Sequence, residues 1–488
     1  MPTNSTPAIR VRPRQTLERE IKLSVPPGFR LPGDLGDPIH ARSFVSSYHD
    51  TMGHRLADQG ITLRRRVERG HGVWQLKLPA DNGRWELESD GGAAPPASLT
   101  DLVYVHVRGE PLQAIARLRT RRVGLCAKGD ANSSAEVVVD RVALLEGRRV
   151  IRRFDECEIE LLQGDPSLLE RIEARLREAG AGDHEGRPKL FRALNLSVLV
   201  ETAPSAGAPV RERVKWAVGG PYRAALTNDP LVRLGTDPEA LHDMRVAIRR
   251  LRAILRALKA IVVPEWADGI RGELAWIGGA LGAARDLDVQ IEHFNDELRM
   301  LESRDRAPLR TWIRSLIRER VHAHVDLVAQ LRSDRYLALV DSLAQACREP
   351  LLQDSNHSIE DLAAKEYRRL RRFARTLPDT PSDAELHRLR IKAKRARYAA
   401  ELVVEHMGKP AQQFVAAMKG LQDVLGAHQD AVVAEARLRE YFDRPSGVRA
   451  AFAAGRLVER QRQRREQARQ QWQHSLDKAL KRGKKAWA

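Results

Sequence analysis

Cysteine is scarce: Cys126, Cys157 and Cys347 are the only three in 488 residues. That is too few for a disulfide framework and fits a reducing compartment. No uninterrupted apolar run approaches the ~18 residues that a membrane-spanning helix needs. The opening stretch MPTNSTPAIRVRPR lacks the apolar centre of a signal peptide. Aromatic residues make up 5% of the chain, which counts against single-stranded nucleic acid, a ligand usually held by rings stacked on its bases. A Walker-type phosphate loop is missing too: Gly408-Lys409 is followed by Pro410, not by Ser or Thr. What the chain has in excess is positive charge, 83 Lys and Arg against 65 Asp and Glu, a formal net charge of +18. Much of it is arginine, whose planar fork suits phosphate and carboxylate oxygens. With 42% hydrophobic residues the chain can bury ordinary cores, and its length suits two or three domains. These limits describe a soluble cytoplasmic protein with an anionic partner. Phosphate-rich ligands without bases stand level with nucleic acid.

Residues 202–209, TAPSAGAP, are a run of Pro, Ala, Gly and Ser that marks a linker. It divides the chain into expected domains at 15–200 and 210–488, with 201–209 between them. Residues 1–200 carry 31 basic and 27 acidic residues, and residues 201–488 the other 52 and 38. The excess therefore lies mainly in the second part, +14 against +4.

The first part alternates in the manner of strands over Leu17–Leu23, Ile61–Val67, Val73–Leu78, Arg84–Glu88, Ala135–Asp140 and Glu156–Leu162, with one helix at Ser167–Ala179. Many antiparallel strands imply a sandwich or a barrel. Side chains two apart share a strand face, so Glu18, Glu20 and Lys22 stand together. So do Arg64 with Arg66, Arg84 with Glu86 and Glu88, and Glu156 with Glu158 and Glu160. Each set alone is an ordinary solvent face. Four strands with mixed acids and bases suit a polar barrel interior, where carboxylates hold hard divalent cations and guanidinium or ammonium groups hold phosphate oxygens.

Glu18-Arg19-Glu20-Ile21-Lys22 resembles the ExExK signature of the CYTH, or triphosphate tunnel metalloenzyme, family. Supporting motifs follow in the family's order: Tyr48–Thr51, Leu63–Arg66, Gln75–Pro79, Arg84–Glu88, Arg117–Arg122, Glu136–Asp140, Glu158–Leu161, and Lys189 with Arg192. The resemblance implies an eight-stranded antiparallel tunnel that binds a triphosphate with Mg2+ or Mn2+. By position it makes Glu18, Glu20, Glu158 and Glu160 the metal carboxylates. Lys22, Arg64, Arg66, Lys77, Arg84, Arg119, Arg121 and Lys189 become the phosphate-binding cations, and Glu86 or Glu88 completes a second metal site or orients water. A one-residue shift in the arginine run would exchange Arg121 for Arg122. His49 and Pro188 depart from the family pattern, without removing an expected ligand.

The second part is almost all helix, with Gly and Pro placed largely at breaks. On a wheel of about 100° per residue, His242, Arg245, Arg249, Arg252 and Arg256 fall on one arc, broadly opposite Met244, Ile248, Leu251, Ile254, Leu255 and Leu258. No acid occurs from Met244 to Pro264. Like charges at helical spacing destabilise a free helix, so the stripe implies an anionic ligand. The pattern returns 145 residues later as His387, Arg390, Lys394 and Arg397, and Leu281-Gly282-Ala283 with Asp286 returns as Leu425-Gly426-Ala427 with Asp430. Two anchors at nearly equal offsets indicate an internal duplication, about 210–350 and 355–488, and two helical bundles related by a pseudo-two-fold axis. His322-Ala323-His324 is expected at the surface, and Arg456–Ala488 as an exposed helix. These blocks resemble the CHAD family, the conserved histidine α-helical domain, from which inorganic polyphosphate binding is implied.

The fold class expected is thus α+β and multidomain, a β tunnel followed by paired helical bundles. The leading functional expectation is metal-dependent hydrolysis of inorganic triphosphate or short polyphosphate, in the cytoplasm and in association with polyphosphate granules. The alternatives are a non-catalytic polyphosphate-binding protein and an adenylyl cyclase, with nucleic acid ranked below them.

Overall fold

A computed structural model describes residues 13–80, 83–130, 132–197, 202–205, 207–442 and 447–487. Residues 1–12 of the stretch read for targeting, and residues 201 and 206 of the linker, lie outside that set. The chain divides into two compact units, Met1–Glu201 and Thr202–Ala488.

The first unit is one antiparallel sheet of nine strands, β1 (Arg14–Glu18), β2 (Glu20–Ser24), β3 (Asp37–Asp50), β4 (Thr62–Glu68), β5 (His71–Ala80), β6 (Gly83–Asp90), β7 (Gln113–Lys128), β8 (Ser134–Glu146) and β9 (Arg149–Gln163). Their order is β1-β6-β5-β4-β3-β7-β8-β9-β2. The count exceeds eight because the first segment breaks at Arg19. Its first half pairs with β6, Glu18 opposite Arg84, and its second with β9, Glu20 opposite Glu160. Both ends of the sheet are thereby joined through one residue, and the sheet curls round on itself, with β1 paired to β6 and β2 to β9. Sequence alternation had not marked β3 or most of β7.

Alternation gives the closed sheet an apolar outside and a charged inside. Leu23, Val137, Val139, Cys157 and Ile159 face outward and pack under Leu168, Leu169, Ile172 and Leu176 of α3 (Ser167–Glu178). Their neighbours Lys22, Glu158 and Glu160 face inward. Two single-turn helices, α1 (Ala97–Thr100) and α2 (Tyr104–Val107), lie between β6 and β7. Helix α4 (Lys189–Leu194) packs Leu190, Phe191 and Ala193 on Tyr48, Leu118, Val142 and Leu144. Pro188 precedes its first turn, where a fixed φ and a missing N–H are tolerated.

The second unit is helical: α5 (Val210–Leu234), α6 (Pro238–Ala257), α7 (Pro264–Arg299), α8 (Arg306–Leu331), α9 (Asp334–Arg348), α10 (Ile359–Ala374), α11 (Asp383–Glu401), α12 (Val404–Met407), α13 (Lys409–Phe442) and α14 (Val448–Trp487). Asp237 caps α6 by accepting from Glu239 N, with Pro238 at the first position. Ser382 and Glu385 form a capping box on α11. Phe294 of α7, Trp312 and Leu316 of α8, Leu438 of α13 and Leu457 of α14 share one core cluster, so the two repeats pack together through their long helices. Three sequence expectations are corrected. Pro221 and Pro230 lie inside α5 rather than at a break. His324 is tied down, Nε2 to Val232 O at 2.8 Å. Helix α14 is not a bare exposed helix: it buries Leu457, Gln461, Ala468, Trp472, Leu476 and Ala479. It also meets Tyr367 at Gly483, where a Cβ would stand 2.2 Å from the ring.

Candidate functional site

Inside the first unit a polar cavity is lined by Glu18, Glu20, Lys22, Arg64, Arg66, Lys77, Arg84, Glu86, Glu158, Glu160 and Lys189, together with Phe44, Tyr48, Thr62, Gln75 and Arg122. The structure thus gathers eleven of the predicted tunnel residues. It leaves out three. Glu88 accepts from Gln75 Nε2 at 2.8 Å and faces Arg14 at 3.5 Å. Arg119 and Arg121 are exposed, on the face opposite Leu118, Thr120 and Arg122. Arg122 takes the inward place, and the buried pair Leu118 and Thr120 was the signal that set the parity.

One end of the cavity is a dense ion-pair network. Arg122 grips Asp140 with two bonds of 2.8 and 2.7 Å and Glu158 with one of 2.7 Å. Lys189 reaches Asp140 at 3.0 Å and both Glu156 and Glu158 at 2.6 Å. Arg192 donates to Glu156 at 2.8 Å, and Lys22 to Glu158 at 2.6 Å. Although burial opposes charging, Lys189, Lys22 and Arg122 hold Glu158 well below the usual carboxylate range. From sequence, Arg122 stood as the alternative to Arg121, while Asp140, Glu156 and Arg192 had no assigned role. Asp140, Glu156 and Glu158 each offer an oxygen within 4.8 Å of the others, a spacing that could hold a metal ion. Their oxygens are already committed to cations, however, and Asp140 and Glu156 are wholly buried.

The other carboxylates are less well balanced. Glu18 accepts from Lys77 at 2.5 Å, and Lys77 also lies 3.1 Å from Glu86. Burial, with a hydrogen bond that the protonated Glu18 carboxyl donates to Glu86, pushes Glu18 up to about 8. Glu160 is also raised by burial and by Glu20 and Glu158, and it makes no hydrogen bond or ion pair among the described residues. Glu20 has one ion pair among the described residues, 3.1 Å to Lys22, which against burial holds its carboxyl below the usual range. A divalent cation would relieve this crowding of oxygen donors, so Glu18, Glu20 and Glu160 fit a hard metal ion.

Two cations are uncommitted in the complementary sense. Arg64 donates to Gln75 Oε1 at 2.8 Å and Tyr48 OH at 3.2 Å, and Arg84 to Gly60 O at 2.6 Å. Neither makes an ion pair among the described residues. Arg66 stacks on Phe44 at 4.0 Å and bonds Glu68 at 2.5 Å.

The helical unit holds the second basic set. Arg245 and Arg249 of α6 come together with Arg390, Lys394 and Arg397 of α11: burial and then the four guanidinium groups push Lys394 down to about 7. Arg245 donates to Asp286 at 2.6 Å and Arg249 to Tyr398 OH at 2.9 Å. A Cβ on Gly282 would meet Arg245 at 3.7 Å, and one on Gly426 would meet Arg390 at 3.8 Å, so the two repeats build the same arginine-on-glycine contact. The remaining residues stand apart. Arg252 and Arg256 are exposed, with Arg271, Arg369 and Arg395 rather than Lys394 near Arg256. His387 is exposed and bonds Gln429 at 2.8 Å, and His242 is half-buried on α6.

The chain thus joins a sheet with a charged interior to a helical unit that carries a cation cluster, a two-part class of protein. A CYTH domain model matches residues 16–184 and a CHAD domain model residues 217–439. Uncharacterized protein Rv2226 of Mycobacterium tuberculosis (strain ATCC 25618 / H37Rv) is 30% identical over 479 residues, 90% of each chain. The chain belongs to this CYTH–CHAD family. Among solved structures it is similar to PptA from Streptomyces chartreusis (24% identity, 55% of this chain and 100% of that one, TM-score 0.47). It is also similar to the CHAD domain from the plant Ricinus communis (27% identity, 57% and 94%, TM-score 0.46). Among the described residues, no helix is long and apolar enough to cross a membrane.

Proposed function

We propose that the protein is a divalent-metal-dependent hydrolase of inorganic triphosphate or short polyphosphate, working in the cytoplasm, and that its helical unit binds polyphosphate. The observation that carries the catalytic part is the cavity's composition, seven basic and five acidic side chains around one space. A triphosphate repels an incoming nucleophile, and surrounding cations neutralise its oxygens so that attack at phosphorus becomes possible. Arg64, Arg84 and Arg66 would bind and orient the phosphates, while Lys77 and Lys22 keep Glu18 and Glu20 in place. The magnesium or manganese ion, held by Glu18, Glu20 and Glu160, would supply Lewis-acid charge at the phosphate oxygens. Glu86 lies beside Glu18 and Lys77, where its carboxylate would orient a water. An inorganic substrate is favoured over a nucleotide because the cavity's two aromatic rings, Phe44 and Tyr48, already face guanidinium groups, leaving little for a base to stack on.

The test is phosphate release from tripolyphosphate by purified protein with Mg2+ or Mn2+, beside ATP and long-chain polyphosphate. Glu18→Gln and Glu20→Gln should each lower turnover by at least about 100-fold, the scale on which losing a site's charge stabilisation is felt. Unchanged turnover in both would remove the metal assignment. Tight binding without any release would make the cavity a reader of phosphate chains instead.

A further inference from the structure

The two repeats of the helical unit differ at one ion pair. The 144-residue offset that relates Gly282 to Gly426 also sets Arg320 of α8 against Arg464 of α14, and Asp288 of α7 against Val432 of α13. In the first repeat Arg320 Nε donates to Asp288 Oδ1 at 2.8 Å. In the second, Val432 supplies no carboxylate. Arg464 Nη1 instead lies 2.9 and 3.0 Å from the two ring nitrogens of His293 and donates to Gln461 Oε1 at 3.3 Å.

Five neighbouring arginines on α14 each reach a carboxylate. Arg456 pairs with Asp305, Arg460 with Glu297, Arg462 with Glu435, Arg465 with Asp383 and Glu435, and Arg469 with Asp383. Arg464 alone among these six has no ion pair among the described residues. Its position relative to the basic cluster is given by Asp430. That carboxyl, on an exposed residue, is flanked by Arg390 and Lys394 of the cluster, by Arg464, and by Asp286. The cation cluster therefore continues past Lys394, over Asp430, to a guanidinium on a helix beyond the matched domain residues 217–439.

We infer that the anion track of the helical unit runs from α6 and α11 across α13 to Arg464 on α14, and that this outer contact is used by long linear condensed phosphates but not by tripolyphosphate. The inference rests on the polyphosphate reading of the cluster. His293 beside Arg464 stays neutral, through burial and then the guanidinium itself, with Nε2 donating to Gln461 Oε1 at 3.0 Å and Nδ1 accepting from Arg464, so it orients that guanidinium.

The experiment is binding of long-chain polyphosphate and of tripolyphosphate to the full chain, in chelator so that no turnover occurs, over a range of salt. Arg464→Gln should weaken long-chain binding about tenfold or more, the worth of one charge-assisted contact. It should also lower the dependence of log affinity on log salt by about one counterion and leave tripolyphosphate unchanged. Arg464→Lys should restore part of the loss. Val432→Asp, which gives Arg464 the partner that Arg320 has, should reproduce it. Arg320→Gln removes the same charge from the paired position and should stay within about twofold. Arg390→Gln reports on the cluster itself. If it weakens binding while Arg464→Gln and Val432→Asp do not, the track ends at α11 and the inference fails with the cluster intact. If Arg390→Gln also has no effect, the polyphosphate reading fails as well.

Discussion

Lys394 is the residue whose perturbation tests the helical cluster most directly. Burial and the surrounding Arg390, Arg249, Arg245 and Arg397 push its ammonium down to about 7, so in the free protein it is about nine-tenths charged at pH 6 and about one-tenth charged at pH 8. Phosphate oxygens in the cluster would raise it again. Binding then takes up a proton, and linkage requires affinity to fall as pH rises across that window, by about tenfold from pH 6 to pH 8. Below pH 6 the amine is already charged and this contribution is flat. Lys394→Arg carries a permanent charge, so its affinity should vary little over the same range and exceed that of the wild type at pH 8.

The assay is calorimetry with long-chain polyphosphate, whose interior phosphates do not titrate in the window, in two buffers of different protonation enthalpy. Asp430 on α13 faces Lys394 and has its own carboxyl raised by burial, so Asp430→Asn is the control that separates the two groups. Equal pH profiles for the wild type and Lys394→Arg would refute the reasoning. The free protein should show the opposite trend in stability. Unfolded Lys394 binds more protons than the folded residue between about pH 7 and its ordinary 10.5, so that contribution to folding improves as pH rises through the window.

Arg122→Ala should abolish phosphate release and cost about 3–5 kcal/mol of stability, because it strips a cation from buried Asp140 and Glu158. Arg121→Ala, one residue away but exposed, should change stability by no more than about 0.5 kcal/mol. Chemical denaturation and a phosphate assay on the two variants check the register directly. In the helical unit, Asp229→Ala removes the carboxylate that accepts from Arg233 at 2.5 Å and from Tyr336 OH at 3.1 Å, all three residues being buried. It should destabilise by about 3–5 kcal/mol, whereas Asp229→Asn should cost less by keeping the hydrogen bonds.

What could be seen in the sequence was what alternates. Glu18, Glu20 and Lys22, or Glu156, Glu158 and Glu160, stand out because β2 and β9 keep acids and bases on one face and Leu23, Cys157 and Ile159 on the other. Strand β7 was harder, since Arg117, Arg119, Arg121 and Arg122 are all arginine and only Leu118 and Thr120 tell inside from outside. The break at Arg19 could not be foreseen, because it depends on closing the sheet onto both β6 and β9. The basic helices were legible from charge alone, but convergence was not. Arg252 and Arg256 share the wheel arc of Arg245 and Arg249, yet α11 packs so that only the latter two meet Lys394. Likewise α14 looked free in composition because its partners, Asp305, Glu297, Glu435 and Asp383, are distant in sequence.

The two sites hold their charge in opposite ways, and salt should tell them apart. In the cavity five of the seven bases have an acid in contact, among them Lys77 with Glu18, Lys22 with Glu158 and Arg122 with Asp140, and most of these groups are buried where screening is weak. Few counterions are condensed there to be released, so the KM for tripolyphosphate should change by less than about tenfold per decade of salt. In the helical unit five cations, Arg245, Arg249, Arg390, Lys394 and Arg397, are half-buried and open to solvent. Of these only Arg245 and Arg397 reach a carboxylate within 4.0 Å among the described residues, those of Asp286 and Glu401. Five phosphate contacts on a single-strand polyanion predict a log–log slope of about −3.5, so affinity should fall by more than a thousandfold over a decade of salt. Parallel titrations of turnover and of polyphosphate binding measure both slopes on one preparation. Similar slopes would mean that both ligands occupy one kind of site, and the division into a gripping and a cutting unit would have to be given up.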